Sequence, residues 1–181
     1  MAIQTTYTTG PAIGFAGMKA DNQPIRPVTA VNAEASASMP FGAIIAYKTS
    51  SPASVDDAIL PAAQTAKLMG VVMFANNFER TFTALDGTTA GELDTVGLRP
   101  GTLFDAASSG TFFMTCEDGC NPGDKLFVRS SGGTLGAARA TDAGSGTCIN
   151  ANNCGKWLSV AAAGGVAVLE FNFLAATTAG A

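Results

Sequence analysis

The sequence contains no histidine and few charged residues of either sign. The absence of histidine removes the commonest general base and the Ser-His and Cys-His nucleophile pairs. Lysine, arginine, aspartate and glutamate together make up 13% of the 181 residues, and the formal net charge is −4. Phosphate binding depends on clustered lysine and arginine, and the ten basic residues here are scattered, so nucleic acid is not an expected partner.

The shortage of charge also bears on what the surface can do. Hydrophobic residues account for 47% of the chain, and the mean hydropathy is +0.26. An isolated monomer of this composition would expose much neutral and apolar surface and would be poorly soluble. We therefore expect a subunit that buries a large part of its surface against partners.

Long apolar segments are missing as well. The longest uncharged apolar run, at 157–169, is too short to span a bilayer and is interrupted by Gly164 and Gly165. The N-terminus lacks the basic region and apolar core that are typical of a signal peptide. We therefore expect no membrane partner and synthesis in a cytoplasm.

The sequence does contain short runs rich in aromatic and β-branched residues, at intervals of about ten residues. In the stretch 110–129, two such runs at 111–115 and 125–128 flank a cluster of Asp, Gly, Asn and Pro, which predicts a strand, a tight connection and a strand. Pro122 and Gly123 suit the two central positions of a type II turn. Because a two-stranded ribbon is marginal alone, neighbouring strands are expected to pack on it.

The remaining pattern predicts an all-β protein. Further strands are predicted at 43–48, 71–75, 78–83, 92–98, 134–141, 156–160 and 166–173. Residues 142–155 are predicted to be a polar loop. Ser54 and Asp57 resemble a capping box and predict a short helical turn, with a second turn at 64–68. The expected fold is a small β-barrel or a jelly-roll-like sandwich with one or two short helical turns.

Residues 1–17 are predicted to form an extended N-terminal arm, and residues 18–181 a single β domain. The arm begins polar and threonine-rich, and the glycines spaced through its second half suit a segment that lies close to another backbone. Four side chains of the arm are candidate inter-subunit contacts: Tyr7, Pro11, Ile13 and Phe15. The phenylalanines, Phe15 included, and Trp157 lie mostly in strand-like runs, which predicts core rather than a ligand-stacking surface.

The cysteines are the remaining candidates for chemistry: Cys116, Cys120, Cys148 and Cys154. Two local disulfides, 116 with 120 and 148 with 154, are one interpretation. Free thiols are a second, since a cytoplasm keeps thiols reduced. A zinc site of four thiolates is a third, although paired zinc ligands are usually two to four residues apart and the second pair is wider.

Neighbouring carboxylates are the other pattern associated with catalysis or metal binding. Asp56 and Asp57 are better explained as helix-capping residues, and Glu117 and Asp118 as turn residues. We therefore predict no catalytic residue, no bound metal and no cofactor, and the chain is not expected to be an enzyme.

Five glycine-rich or apolar motifs follow one another along the chain. They are Gly-Pro-Ala-Ile-Gly-Phe-Ala-Gly-Met at 10–18, Met-Pro-Phe-Gly-Ala at 39–43, Gly-Val-Val at 70–72, Pro-Gly-Asp-Lys-Leu-Phe-Val-Arg at 122–129, and Ala-Gly-Gly-Val-Ala-Val-Leu-Glu-Phe-Asn at 163–172. In this order they resemble the structural cement (capsid decoration) proteins of tailed bacteriophages. The cysteine loop at 148–154 and the insertion at 49–61 match nothing in that pattern, so the resemblance implies no role for the cysteines.

The resemblance implies a non-enzymatic β-barrel or jelly-roll-like subunit that binds the outer surface of a phage capsid and stabilises contacts between capsomers. The implied partners are the major capsid protein and further copies of the same chain, as a dimer or trimer. The implied location is the exterior of the virion, after synthesis in the host cytoplasm. The alternative function is a receptor- or carbohydrate-binding β module on a virion or cell surface, in which residues 150–157 would supply amides beside an exposed Trp157.

Overall fold

The computed structural model describes residues 14–21, 23–36, 38–50, 52–74, 97–144 and 146–175. Within these ranges all regular elements are strands, apart from one turn of 3-10 helix at Phe173–Ala175. The strands are β1 Arg26–Asn32, β2 Met39–Pro40, β3 Ile44–Tyr47, β4 Asp57–Ile59, β5 Leu68–Val72, β6 Gly97–Leu98, β7 Leu103–Thr115, β8 Phe127–Arg129, β9 Ala138–Arg139, β10 Cys148–Asn150, β11 Gly155–Trp157 and β12 Val166–Asn172. The predicted all-β class is confirmed.

Five of these strands close into a small barrel. They are hydrogen-bonded in the order β1–β4–β3–β5–β7, and β7 pairs again with β1. The β1–β4 pair is parallel and the other four pairs are antiparallel. Closure removes the exposed sheet edge from this part of the molecule. Of the two predicted architectures, the β-barrel is the one observed.

The long strand β7 joins the barrel to an outer sheet. Its first part pairs with β1, from Leu103 to Ser109, and its second part pairs with β12, from Ser109 to Thr115. Gly110 lies just after the change of partner, with φ 144°. A Cβ at this position would lie 2.9 Å from Cγ2 of Ile25. Glycine is therefore required where β7 leaves the barrel, because other residues rarely adopt this backbone conformation.

The predicted hairpin of 111–115 and 125–128 is wrong. The first run belongs to β7, whereas β8 lies in a separate three-stranded sheet with β9 and β10. The segment between the two runs pairs instead with the β11–β12 connection, as in the hydrogen bond from the Cys120 amide to the Ala161 carbonyl at 2.9 Å. The partner of β7 here is β12, which lies far along the sequence.

The turn within that segment does form as predicted. The Asp124 amide donates to the Asn121 carbonyl at 3.1 Å, which closes a four-residue turn. Pro122 occupies its second position, and Gly123 follows with φ 92°. A type II turn requires this positive φ at its third position, so the local chemistry was sufficient to predict it.

The strands β3 and β5 are apolar on both faces, and the middle of β7 contributes Ala106 to one face and Ala107 to the other. Ile45 and Met69 face the inside of the barrel, whereas Ile44 and Leu68 face the outer layer. A strand buried on both faces has a continuous apolar run instead of an alternating one, which is the pattern that predicted β3 and β5.

Two hydrophobic clusters result. The first, which we call the barrel core, consists of Ala30, Met39, Ala43, Ile45, Ala58, Leu60, Met69, Val72, Leu98, Phe104 and Ala106. The second, which we call the outer core, is larger and is centred on Phe112, Met114, Leu126, Trp157, Leu169 and Phe171. Three of the four cysteines, Cys116, Cys120 and Cys154, also belong to the outer core.

Several local predictions differ from the structure. Ser54 begins a hydrogen-bonded turn, in which the Asp57 amide donates to its carbonyl at 3.3 Å, and strand β4 then starts instead of a helix. A hydrogen-bonded turn does form at the second predicted position, where the Ala66 amide donates to the Ala63 carbonyl at 3.0 Å, but it leads into β5 and not into a helix. The loop predicted at 142–155 contains β10, whose residues are anchored by pairing with β8.

Other predictions fall on residues that the structure does not describe. The strand at 78–83 and most of the strand at 92–98 lie outside the described residues, as do residues 1–13 of the predicted arm. The division into an arm at 1–17 and a domain at 18–181 therefore stays a prediction.

Candidate interface

Residues 14–20, which we call the N-terminal root, are fixed along the outer side of β7. The Gly17 amide donates to the Phe113 carbonyl at 2.8 Å, and the Phe113 amide donates to the Met18 carbonyl at 2.8 Å. The Phe74 amide also donates to the Gly17 carbonyl at 2.8 Å. The root thus adds a short antiparallel segment to the sheet, and these hydrogen bonds fix it against β7 and the end of β5.

Two glycines allow the root to lie directly on the barrel. Gly17 has φ 84°, and a Cβ there would lie 2.8 Å from both the Gly42 nitrogen and the Val72 oxygen. Gly42 has φ 78°, and its Cβ would lie 2.8 Å from that of Ala16. Three of the motifs singled out in the sequence, at 10–18, 39–43 and 70–72, therefore meet at this one contact. Gly17, Gly42 and Gly70 of these motifs are explained by close backbone approach.

An aromatic patch, formed by Phe15, Phe41 and Phe74, lies beside the root. Phe15 is 63% exposed, and its ring stacks on Phe74 with centroids 6.1 Å apart. Phe74 in turn meets Phe41 edge to face at 5.2 Å. A large exposed aromatic next to a fixed chain segment is typical of protein–protein contact surfaces, in which aromatic residues are enriched.

An apolar groove of about 310 Å³ adjoins the aromatic patch. Its walls include Ala16, Pro40, Phe41, Leu135, Ala137 and Gly164. The root, the barrel and the three-stranded sheet all contribute to it, so the groove depends on the assembled fold. Such a groove accepts an apolar side chain better than a charged one.

The predicted contact residues of the arm have different outcomes. Phe15 is exposed at the surface, so its assignment to the core is wrong. The other three candidates, Tyr7, Pro11 and Ile13, lie outside the described residues. Phe41 and Phe74 were predicted to be core and are only partly buried. No local sequence signal distinguishes them from buried phenylalanines, apart from the position of Phe41 in a glycine-containing motif.

A second exposed apolar feature is the connection at 158–165 between β11 and β12, which we call the apolar loop. Val160 is 66% exposed, and Leu158 is also exposed. The sequence predicted a strand at 156–160, but β11 ends at Trp157 and residues 158–160 belong to the connection. In the structure it is surface, and no helix among the described residues is both long and apolar enough to cross a bilayer.

The charged side chains of the outer layer form an ionic cluster, which consists of Glu117, Asp118, Arg129 and Arg139. Arg129 donates to both Glu117 oxygens, from Nη2 at 2.9 Å and from Nε at 3.0 Å. Arg139 donates from Nη1 to the same carboxylate at 2.8 Å. Burial raises the pKa of Glu117, but the hydrogen bonds and charges of the two arginines outweigh it and hold the pKa below its ordinary value.

Asp118 closes the other side of the cluster. Its carboxylate accepts hydrogen bonds from the Ala140 and Thr141 amides, both at 2.9 Å, and lies 3.4 Å from Arg139 Nη2. Burial opposes ionisation here too, but these hydrogen bonds, the Thr141 hydroxyl and the Arg139 charge lower the pKa of Asp118. The two acids do lie in a turn, as predicted. Their ion pairs could not be predicted, because both arginines are distant in the sequence.

The four cysteines are buried and free. Burial, together with the nearby Cys120 and Asp118 groups, raises the pKa of the Cys116 thiol to about 12. Burial also raises the pKa values of Cys120 and Cys154. Among the described residues no group of three or more cysteine, aspartate or glutamate side chains is arranged to hold a metal ion. The disulfide interpretation stays a prediction.

Trp157 does not supply the exposed aromatic that the carbohydrate-binding alternative requires. Its side chain is fully buried in the outer core, and its Nε1 donates to the Arg139 carbonyl at 3.3 Å. The expectation of an exposed aromatic at residues 150–157 is therefore wrong. Pairing of β11 with β12 turns the indole inwards.

Comparison with known proteins gives a family and a fold. The model of the family described as "Structural cement protein (E217 gp24/Pam3 gp6)" matches residues 3–172. No curated protein matches the chain. Among solved structures, the chain is similar to one from "The capsid of Myoviridae Phage XM1", with a TM-score of 0.63 and 14% identity over 95% of this chain and 98% of that chain. At this identity the similarity shows a shared fold.

Proposed function

The chain belongs to the structural cement protein family of phages and has a structural role in the capsid, and from this we propose that it binds the outer surface of the shell and stabilises the contacts between capsomers. The observation that carries the proposal is the family match, which extends over 3–172 and so over the root, the barrel core and all of the outer core except Phe173. The proposed partners are the major capsid protein and other copies of the same chain.

The aromatic patch and the adjoining groove are the proposed contact surface. Phe15 is held by stacking on Phe74, so little side-chain entropy is lost when a partner covers it. The arm before the root is uncharged in its side chains and contains Ile3, Tyr7 and Ile13. A contact made by these groups would be mainly hydrophobic, which agrees with the low charge of the whole chain.

Stabilisation of the shell would follow from mass action. A protein that binds the assembled shell and not its separated subunits shifts the equilibrium towards assembly. When copies also contact one another, each further contact becomes intramolecular, and the total affinity exceeds that of one site. A weak single contact through a small aromatic patch is therefore sufficient.

We also propose that the chain has no catalytic activity. It contains no histidine, and the acid pair Glu117–Asp118 is engaged by two arginines and two backbone amides. Both carboxylates are thus held ionised as acceptors in ion pairs, which is unsuited to general acid catalysis near neutral pH.

The location can be tested by adding the purified protein to phage shells that lack it and imaging the particles by cryo-electron microscopy. We expect density for the barrel outside the major capsid protein, across the junctions between capsomers. Shells that show no added density on their exterior at saturating protein would contradict the proposal.

The contact surface can be tested with matched surface variants. Phe15→Ser removes the exposed ring of the aromatic patch and is expected to weaken shell binding by about tenfold or more, as for a central aromatic of an interface. Val55→Ser is the control, because Val55 is 84% exposed and lies in a different part of the chain. If the two variants bound the shell with equal affinity, the aromatic patch would be excluded as the contact surface. The proposal that the protein binds the outer surface of the shell would still stand.

A further inference from the structure

The sheet formed by the second half of β7, by β12 and by β11 carries a row of apolar side chains on the side away from the outer core. Phe113 pairs with Val168, and the Leu158 amide donates to the Val168 carbonyl at 2.8 Å, so these three residues lie side by side across the sheet. Their neighbours in the sequence are members of the outer core. Because side chains alternate along a strand, the row itself points the other way. We call these three residues, together with Val166, the outward face.

The outward face is apolar at one end and charged at the other. Leu158 is 42% exposed, and the other three members are half-buried. Further along the same strands, Glu170 pairs with Lys156 at 3.1 Å, and both side chains are more than half exposed. No member of the outward face belongs to the barrel core or to the outer core. The apolar end is thus a sheet surface that neither core covers.

The chain arrives on this face at Gly14. The Met18 amide donates to the Phe15 carbonyl at 3.0 Å and closes a turn at the start of the root. A Cβ at Gly14 would lie 2.6 Å from Cγ and 2.7 Å from Cε2 of Phe113. The Gly14 backbone therefore rests on the Phe113 ring, and only glycine allows so close an approach. The residue before Gly14 consequently starts beside the outward face.

The segment that directly precedes Gly14 has the composition and the reach to cover this surface. It is Pro11, Ala12 and Ile13, and residues 1–13 contain no charged side chain. Three extended residues span about 10 Å. The two strand spacings from β7 across β12 to β11 also add up to about 10 Å. Proline has no amide hydrogen that would need a partner above an apolar surface.

We propose that the outward face is the docking site for residues 11–13 of the same chain, which cross it from Phe113 towards Leu158. The segment is joined to the face through Gly14, so its effective concentration is in the millimolar range or higher. The arm of a second copy would have to overcome the entropy cost of association to reach the same place.

This docking site goes beyond the proposed function, because it covers apolar surface of the free subunit before any partner is present. Pro11 and Ile13 then act within their own subunit. Ile3 and Tyr7 are left as the residues of the arm that can reach a partner. A site of this kind exists whether or not the protein binds a shell.

The cover over Leu158 can be measured as thiol protection in the full chain. Leu158→Cys places a reporter thiol on the outward face, and trypsin releases it on peptide 157–181, which contains no native cysteine. The folded protein is treated with iodoacetamide, and mass spectrometry follows the alkylation of this peptide. Adding Ile13→Ser to the same chain should raise the alkylation rate about tenfold, because burial of an isoleucine side chain shifts a docking equilibrium by at least that factor.

Two controls make the result specific. Ile3→Ser removes the same side chain from the part of the arm that does not dock, and it should leave the alkylation rate of the Leu158→Cys thiol unchanged. A Val55→Cys reporter is released on peptide 49–67, which also lacks a native cysteine. It should be alkylated at the same rate with and without Ile13→Ser, and circular dichroism confirms that each variant is folded.

Dilution distinguishes the two sources of the arm. Protection of the Leu158→Cys thiol should not change on dilution, because the segment and the face belong to one chain. If protection disappeared on dilution, the occupant would be the arm of a second copy and the proposal would be overturned. Equal alkylation rates in the Leu158→Cys chain with and without Ile13→Ser would overturn it as well. Neither result would affect the proposal that the protein binds the shell.

Discussion

The barrel core and the outer core share strands β3, β5 and β7 but differ in what surrounds them. The barrel core is enclosed by strands that pair in a ring, and its members are all apolar. The outer core is covered by strands of two or three residues, by loops and by the ionic cluster. The barrel core is thus closed by one continuous ring of paired strands, and the outer core by short strands, loops and ion-paired side chains.

This difference bears on function, because the features that could contact a partner protein lie outside the ring of barrel strands. The root and the apolar loop are supported by the second half of β7 and by β12, whereas Phe41 of the aromatic patch packs against the barrel core. The two thiols and the four ionic groups lie in the same layer. A closed barrel offers no edge for a partner, whereas an outer layer built from loops can present apolar side chains without losing the fold.

The largest expected effect comes from removing the centre of the outer core. Trp157→Ala should lower the free energy of unfolding by about 4 kcal/mol, since a buried indole is replaced by a cavity. The Arg139 carbonyl would also lose its donor. Met69→Ala in the barrel core is the matched substitution and should cost about 3 kcal/mol. Denaturant unfolding measures both.

This pair of variants tests whether the two cores unfold together. If they do, each variant gives one transition with an unchanged slope against denaturant. Two separate transitions in Trp157→Ala, with the barrel persisting, would contradict a single cooperative unit. Val55→Ala is the control, and its effect should stay within about 0.5 kcal/mol because its side chain is exposed.

The next effect concerns the contact between the root and the barrel. Gly17→Ala should cost about 2 to 3 kcal/mol, because its Cβ would lie 2.8 Å from backbone atoms of Gly42 and Val72 and its φ is 84°. Gly101→Ala is a close control, since φ is 77° there and nothing lies within 4 Å of the added Cβ. It should show the backbone strain alone, about 1 kcal/mol.

Hydrogen exchange then shows where the contact has failed. The Phe74 and Phe113 amides donate to carbonyls of the root, and they should exchange faster in Gly17→Ala than in Gly101→Ala. Equal exchange at these two amides would mean that the barrel shifts to accept the methyl group, and the root would not depend on this glycine.

The two regions also differ in how well the sequence predicts them. β3 and β5 are continuous apolar runs, and β12 alternates, so their positions follow from local patterns. The turn at Pro122 and Gly123 is likewise local. The β7–β8 hairpin prediction failed because the true partner of β7 is β12, about fifty residues beyond it, and long-range pairing leaves no mark in a short window.

The candidate interface was only partly predictable for the same reason. Phe15 could be proposed from its place in a glycine-rich arm, whereas Phe41 and Phe74 join it only through the fold. Glu117 and Asp118 were correctly placed in a turn, but their arginine partners follow 12 and 22 residues later. The residues that precede Trp157 are polar, as at a surface site. Only the pairing of β11 with β12 shows that the indole is buried.

The smallest expected effect concerns the ionic cluster, and it is visible as a pH dependence. The folded-state pKa of Glu117 lies below the ordinary value of 4.5. Its contribution to stability is therefore fully present above pH 4.5 and is lost as the pH falls through the lower folded value. Glu117→Gln should cost about 1 to 2 kcal/mol at pH 7, since hydrogen bonds to a charged group are lost and Arg129 is left partly buried.

The difference between the wild type and Glu117→Gln should then shrink as the pH is lowered below 4.5, because protonation removes the same charge from the wild type. Glu170→Gln is the matched control, since Glu170 pairs with Lys156 at 3.1 Å but both side chains are more than half exposed. Its effect should stay below about 0.5 kcal/mol at pH 7. If Glu117→Gln and Glu170→Gln had equal effects, or if the Glu117 difference stayed constant into acid, the cluster would be an ordinary surface ion pair. The outer layer would then be held by its short strands and its apolar packing, without a contribution from the ionic cluster.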